Sequence, residues 1–256
     1  MFTLLFGLLA CNNTPVVSGT VEDIWHKPIE GAMVQMEGNG SQQTTDSSGR
    51  FSFELTDVEG GNLRFRAGHN QFIHDVEVLV YAPETDNNDT IDNIVFSLYP
   101  KPADKGFYAV GSKEYAKLES GELVDVKSTF KSLYGLAKVN DVKIDTTKPS
   151  FVYHSTLRKE EIKQINLNVY KLDFKEKEAM TGLTGDTEVE LDLWVPVGKP
   201  IGYNLRSLDQ EEMYLIEFAD DLEKGIYAFS GRYIEGKDNA DKLPKELQVA
   251  YTFEVK

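Results

Sequence analysis

Cysteine is almost missing from this chain: Cys11 is the only one in 256 residues. That excludes an intramolecular disulfide framework and, with just four scattered histidines, a cysteine-rich zinc site. Basic residues are scarce as well. Lys and Arg number 27 against 42 Asp and Glu, a net charge of −15. A phosphate backbone selects a basic face, so nucleic acid is excluded as the default partner. The scarcity is uneven. Residues 1–100 hold four basic residues against fourteen acidic, and residues 101–256 hold twenty-three against twenty-eight. Long apolar runs are absent too. The one apolar stretch, Met1 to Ala10 (MFTLLFGLLA), would be about 15 Å long as a helix, half the hydrocarbon thickness of a bilayer. Gly-x-Ser-x-Gly, a Walker loop and a dinucleotide fingerprint are all missing. What is present is an ordinary globular composition, 41 % hydrophobic and 27 % charged, in a length suited to one or two domains.

The apolar decamer has the length of the hydrophobic segment of a secretion signal. Leu8-Leu9-Ala10-Cys11 follows and resembles the lipobox of bacterial lipoproteins, which implies cleavage before Cys11 and acylation of its thiol. No Lys or Arg precedes the run, a departure from the signal pattern. The resemblance implies residues 1–10 as a signal segment and 11–15 as a polar tether. It makes the membrane a partner through acyl chains, each contributing about 0.8 kcal/mol per buried methylene. The implied location is the cell envelope, facing the periplasm or the exterior.

Residues 101–106, preceded by Pro100 and containing Pro102 and Gly106, disfavour helix and strand interiors and are expected to link two domains, 16–100 and 107–256. Before the linker the hydrophobic period is two: Phe51, Phe53, Leu55; Leu63, Phe65, Ala67; Val76, Val78, Val80; Ile94, Phe96, Leu98. After it the period returns, with Val189 to Val197 read as one face of a strand. Leu247, Val249, Tyr251, Phe253 and Val255 face one way, opposed by Gln248, Ala250, Thr252 and Glu254. Met213–Phe218 and Ile226–Tyr233 are apolar on both faces and fit central strands. Ser128–Val142 fits neither period cleanly and leaves a short helix open. Lys175–Glu178 reads as a solvated turn. The expected class is all-β.

Three segments carry a resemblance. Val17-Ser18-Gly19-Thr20-Val21, Pro28-Ile29-Glu30-Gly31-Ala32-Met33-Val34 and Thr44-Thr45-Asp46-Ser47-Ser48-Gly49-Arg50-Phe51-Ser52-Phe53 fall in the order seen in the carboxypeptidase-regulatory-like domain. That family is a transthyretin-like β-sandwich of seven strands, and the match covers residues 16–100. It implies a non-catalytic module, followed here by a second β-rich, sandwich-like domain. Where the family often has Gly, this chain has His26; where it often has Gly-Tyr, this chain has Gly68-His69. Independently of any family, Gly31 and Gly49 suit positive φ in tight connections, and Asp46 suits capping of the turn that launches Phe51.

Chemistry is harder to find. His74-x-x-Glu77 matches a metallopeptidase pair formally, but in an alternating strand the two side chains point to opposite faces. Among the oxygen-rich residues 84–93, Asp86, Asn88, Asp89 and Asp92 form a candidate calcium loop, since calcium takes six to eight oxygens; a plain solvated turn is the simpler reading. His69 and His74 are near enough in sequence to meet on a loop. Trp25 and Trp194, the latter on a polar strand face, are candidate platforms for a sugar or peptide. The expected function is a non-catalytic binding, adhesion or scaffolding module with an envelope protein or carbohydrate as partner. The alternatives are an accessory of a polysaccharide- or peptide-handling system, or a hydrolase with its site in the second domain.

Overall fold

The computed structural model describes residues 14–37, 40–55, 61–73, 76–82, 90–127, 132–140, 142–176, 179–182, 185–188, 192–208, 213–231 and 249–256. The chain divides into two compact units, Met1–Lys101 and Pro102–Lys256.

The alternation in the first unit builds β1 (Val16–Asp23), β2 (Met33–Met36), β3 (Gln42–Thr44), β4 (Arg50–Glu54), β5 (Gly61–Gly68), β6 (Val76–Ala82) and β7 (Ile91–Leu98). They form two sheets, ordered β4-β1-β7 and β3-β2-β5-β6. All pairings are antiparallel except β1 with β7. In β1, β2, β4, β5 and β7 alternate residues turn inward. Val17, Val21, Phe51, Phe53, Phe96 and Leu98 from one sheet and Val34, Met36, Leu63, Phe65 and Ala67 from the other make a single buried cluster. The Phe53 and Phe65 rings, 5.7 Å apart, join the two sheets across it. Aromatic pairs at such separations add about 0.5–1.5 kcal/mol beyond their buried area.

The second unit contains β8 (Gly106–Val110), β9 (Tyr115–Lys117), β10 (Ser120–Lys127), β11 (Ser132–Leu136), β12 (Lys143–Ile144), β13 (Ser150–His154), α1 (Lys159–Gln164), β14 (Asn168–Lys175), β15 (Ala179–Gly182), β16 (Gly185–Glu188), β17 (Leu193–Ile201), β18 (Asn204–Ser207), β19 (Met213–Glu217), β20 (Gly225–Ser230) and β21 (Val249–Val255). One sheet is β18-β19-β13-β8-β9. The other runs β10-β11-β17-β14-β20-β21, with β12 added beside β21. Strand β10 pairs with β21 through Ser120–Glu122 and with β11 through Leu123–Lys127, so six antiparallel strands close on themselves. Closure removes free edges from these strands.

Two cores follow. Phe107, Phe151, Tyr153 and Ile216 of the five-stranded sheet pack on Val169, Phe229 and Phe253 of the ring. Phe107 stacks on Tyr153 at 4.0 Å and on Phe229 at 4.6 Å. The opposite face of the same ring strands carries Leu136, Tyr170, Leu172, Ala228 and Ala250. Adjacent residues such as Ala228 and Phe229 therefore enter different cores. That explains why β20 reads as apolar on both faces.

Several expectations change. Residues 132–136, in the segment left open to a helix, are strand, and the α-helix lies at Lys159–Gln164. There the Glu161 carboxylate accepts the Arg158 amide at 2.8 Å, satisfying one free helix donor. The strand expected through 189–197 is not continuous. β16 ends at Glu188 in a hairpin with β15, β17 begins at Leu193, and 189–191 lie outside the described residues. The supposedly polar face of β21 buries Ala250 and Thr252 because the ring encloses it. In the segment expected as a linker, Lys105 Nζ donates to Ser155 O at 2.6 Å, the Tyr108 hydroxyl donates to Asp104 O at 2.9 Å, and Gly106 opens β8.

Candidate functional site

The direction of β1 sets the geometry of the first unit. The chain enters β1 at Val16 and reaches Asp23 seven steps later, about 23 Å away at 3.3 Å per residue. The parallel strand β7 delivers Leu98 beside Asp23, and the antiparallel strand β4 starts at the same end. Loops 24–32, 45–49 and 69–73 gather there.

Side chains fix these loops. Asp46 Oδ1 accepts the amides of Ser48 (2.8 Å) and Arg50 (2.9 Å), while its carbonyl accepts Gly49 N (2.9 Å). The capped amides are thus two and four residues ahead. Gly49 has φ +71° and Gly31 φ +76°. Two further residues hold the rim that the sequence reading did not single out. Asp23, buried, accepts the amides of Trp25 (2.8 Å) and Lys27 (2.9 Å), repeating the spacing used by Asp46. Thr45, also buried, donates to Ile29 O (2.6 Å) and accepts Ala32 N (2.9 Å). An Asp at the end of an alternating strand was the available signal for the first.

His26 has φ +63°, the left-handed conformation that favours glycine. Its ring is exposed, with Nδ1 2.6 Å from Glu22 Oε1. The Lys27 ammonium sits over the half-buried Trp25 ring, 5.6 Å from its centroid.

Because Val34 and Met36 point inward, Met33 and Gln35 point out beside Arg66 of the neighbouring strand. With Gly31, Gly68, His69 and Asn70 they line a groove of about 540 Å³ at this end of the unit. Met33 is 53 % exposed. Arg66 pairs with Glu37 at 2.8 Å, and Arg64 Nε lies 3.6 Å from the same carboxylate. His69 Nδ1 accepts the Gln71 amide at 3.2 Å, and its ring lies edge-on to Phe72 at 5.4 Å. The groove offers a thioether, two amides, an imidazole and a guanidinium. Such a set makes apolar contacts and hydrogen bonds to a ligand.

Other candidate residues lie elsewhere. Trp194 is not on a polar strand face. It is half-buried, its register partners are Phe174 and Leu136, and it packs on the cluster of Leu136 and Leu172 inside the ring. The Phe174 ring, 5.2 Å away, is inclined to it by 53°, so the two do not make a flat surface. Trp25 and Trp194 belong to different units. Asp92 accepts the Ser18 hydroxyl at 2.6 Å across β1 and β7. Asp86, Asn88, Asp89, His74 and Cys11 lie outside the described residues. Among the described residues no three His, Cys, Asp or Glu side chains gather as a metal site.

No protein-family model matches the chain, and no curated protein sequence matches it. Solved structures similar to it include a chain of a type II cohesin–X–dockerin complex from Acetivibrio cellulolyticus, at 17 % identity over 32 % of this chain and 56 % of that one, with a TM-score of 0.23. The streptococcal ancillary pilin matches over 96 % of this chain and 60 % of its own, at 13 % identity and a TM-score of 0.29. BcpA, the major pilin subunit of Bacillus cereus, matches over 94 % and 67 %, at 11 % identity and a TM-score of 0.29. The chain thus spans less than two thirds of the first two proteins. Likeness at this level carries no argument about function.

Proposed function

We propose that this protein is a non-catalytic binding module of the bacterial cell envelope, anchored through an acylated Cys11, whose first unit is a carboxypeptidase-regulatory-like, transthyretin-like sandwich. The observation that carries the reading is the placement of the Met33–His69 groove. It lies at the end of β1 remote from Val16, where the chain enters. A tether at 11–15 and a recognition surface at the far end of a strand about 23 Å long would hold ligand away from the membrane. The family reading is supported by the turn at Asp46–Gly49 and by the joint burial of Phe51 and Phe53 behind it. The groove's mixture of thioether, amide and guanidinium fits an envelope protein or a carbohydrate.

Two measurements test this. Cys11→Ser should move the protein from membrane to soluble fractions while its thermal unfolding is unchanged; equal retention of both forms refutes the anchor. Purified envelope polysaccharide and detergent-solubilised envelope protein should each be passed over immobilised full-length chain. Met33→Asp should abolish whatever retention is found, since a charge placed at the exposed thioether adds desolvation cost without disturbing the inward core. Retention unaffected by Met33→Asp refutes the groove.

A further inference from the structure

The second unit has a cleft of its own beside its helix. Lys159, Ile162 and Lys163 are spaced three and four residues apart, so they share one face of α1. Ile162 is 2 % exposed and anchors that face in the core, while Lys159 is half-buried and Lys163 exposed. Asn166 follows the C-cap Ile165 with φ +49°, a left-handed conformation that Asn tolerates. Across from the helix runs the crossover from β17 to β18, residues 201–205. The Tyr203 hydroxyl donates to Leu167 O at 2.7 Å and ties this crossover to the chain leaving α1. Between helix face and crossover lies a cleft of about 400 Å³. A side chain added at Gly202 would meet nothing within 4 Å, so the cleft is open there.

The floor is apolar and the rim is polar. Leu167 is buried, and Ile201, Tyr203 and Leu205 are half-buried. Around them stand two ammonium groups, Lys159 and Lys163, and two carboxamides, Asn166 and Asn204. None of these four side chains has a hydrogen-bond or ion-pair partner among the described residues. Lys171, half-buried like Lys159, holds the Glu223 carboxylate at 2.5 Å; Lys159 has no such partner. Glu161, on the same helix, is taken up by the Arg158 amide at 2.8 Å and its guanidinium at 3.3 Å. Two cations without a carboxylate thus face one cleft, in a chain whose net charge is −15. A lysine ammonium is a point charge, suited to either a carboxylate or a phosphate.

We propose that this cleft binds an anionic sugar, a single ring carrying a carboxylate or a phosphate group. The anionic group lies between Lys159 and Lys163. Ring hydroxyls, which both donate and accept, meet the amides of Asn166 and Asn204, which do the same. The C–H face of the ring rests on Tyr203 and the aliphatic floor. Each part of the lining calls for a different part of the ligand. A bare inorganic anion uses the lysines alone, and a fatty acid leaves both amides unmatched. The volume stands at the low end of ligand clefts, about 300–1,000 Å³, and so suits one ring. A hexuronic acid has about thirteen non-hydrogen atoms, and ordinary ligand efficiency over that number gives a Kd of about 1 mM. A site of that strength does not hold a polymer through a column wash, so it is separate from retention at the first unit's groove.

Glucuronate, glucose 6-phosphate, glucose and inorganic phosphate are each titrated into the nitrogen-15-labelled full chain. Glucuronate or glucose 6-phosphate should shift the amides of 159–168 and 201–205, and the tighter of the two identifies the anion. Its Kd should be about 1 mM, at least tenfold below those of glucose and inorganic phosphate, and should rise at high salt. Lys163→Gln should weaken binding by about threefold to tenfold, and the double variant Lys159→Gln, Lys163→Gln should erase the preference over glucose. If the double variant fails to fold, Lys163→Gln and the wild-type preferences decide. Glucose bound as tightly as its acid overturns the anionic assignment. Inorganic phosphate bound as tightly as glucose 6-phosphate overturns the sugar. Shifts at Met33 and residues 66–70 instead place the ligand in the first unit's groove and overturn this site, as do unmoved amides at about 20 mM of both anionic sugars.

Discussion

A methyl group added at Gly49 should cost far more than the same methyl added at Gly31, although both glycines have nearly the same backbone angle. Their φ values are +71° and +76°. An L-residue forced into that region loses about 1–2 kcal/mol, and this is the whole cost at Gly31, where an added Cβ meets nothing within 4 Å. At Gly49 the Cβ would stand 2.4 Å from the Val21 carbonyl oxygen and 3.2 Å from Ile29 N. Opening the first contact to 3.0 Å requires a shift of about 0.6 Å. Backbone must give way, and it is backbone already in use. Val21 O accepts Ile29 N at 2.9 Å, and Val21 N donates to Gly49 O at 2.7 Å. Weakening those two bonds adds about 0.5–1.5 kcal/mol each. Gly49→Ala should therefore destabilise the first unit by about 3 kcal/mol and Gly31→Ala by about 1–2 kcal/mol. The chain has two tryptophans, one per unit, so a Trp194→Phe background leaves Trp25 to report the first unit alone. In urea, with a slope near 1 kcal/mol per molar for a unit of this size, the two variants should differ in midpoint by about 1–2 M. Equal midpoints, or Gly49→Ala within about 0.5 kcal/mol of the parent, would refute the steric argument.

Asp46→Ala should cost the first unit about 1–2 kcal/mol by freeing two amides, and Asp46→Asn less, because an amide oxygen still accepts; the same urea series reads both. The Lys171–Glu223 pair predicts a pH window. The hydrogen bond from Lys171 holds the Glu223 carboxyl below its ordinary 4.5, so that contribution exists above pH 4.5 and disappears as pH falls through the lowered value. The same bond holds the Lys171 ammonium above 10.5, so its contribution exists below pH 10.5 and disappears as pH rises through the raised value. Glu223→Gln should thus lower the second unit's unfolding midpoint slightly between those limits, and less in 1 M salt; a difference that 1 M salt leaves unchanged would show that the charge is not responsible.

Period-two alternation was enough to establish strands in both halves, and it placed Phe51, Phe53, Phe65 and Phe96 together in one core. It also marked β19 and β20 as interior strands, since Leu215, Ile216, Ala228 and Phe229 leave no polar face. The turn at Asp46–Gly49 was legible because its chemistry is local: a carboxylate that caps nearby amides, and a residue without Cβ where φ is positive. There the carboxylate takes the amides two and four residues ahead.

Local pattern could not report what depends on distant pairing. The burial of Thr252 and Ala250 on the nominally polar side of β21 follows from closure of the ring, which rests on Ser120–Glu122 meeting residues more than 120 positions away. Trp194 changed from a surface platform to a partly buried contact for the same reason, because Leu136 and Phe174 arrive from other strands to cover it. The groove at Met33 required β2 and β5 to lie side by side. Composition and alternation by themselves determined that this chain is built of strands and which residues face a core, because those properties repeat within a few residues. Which strands became neighbours, and so where opposite charges and exposed side chains converge, was decided by the tertiary structure, because pairing is a property of two segments at once.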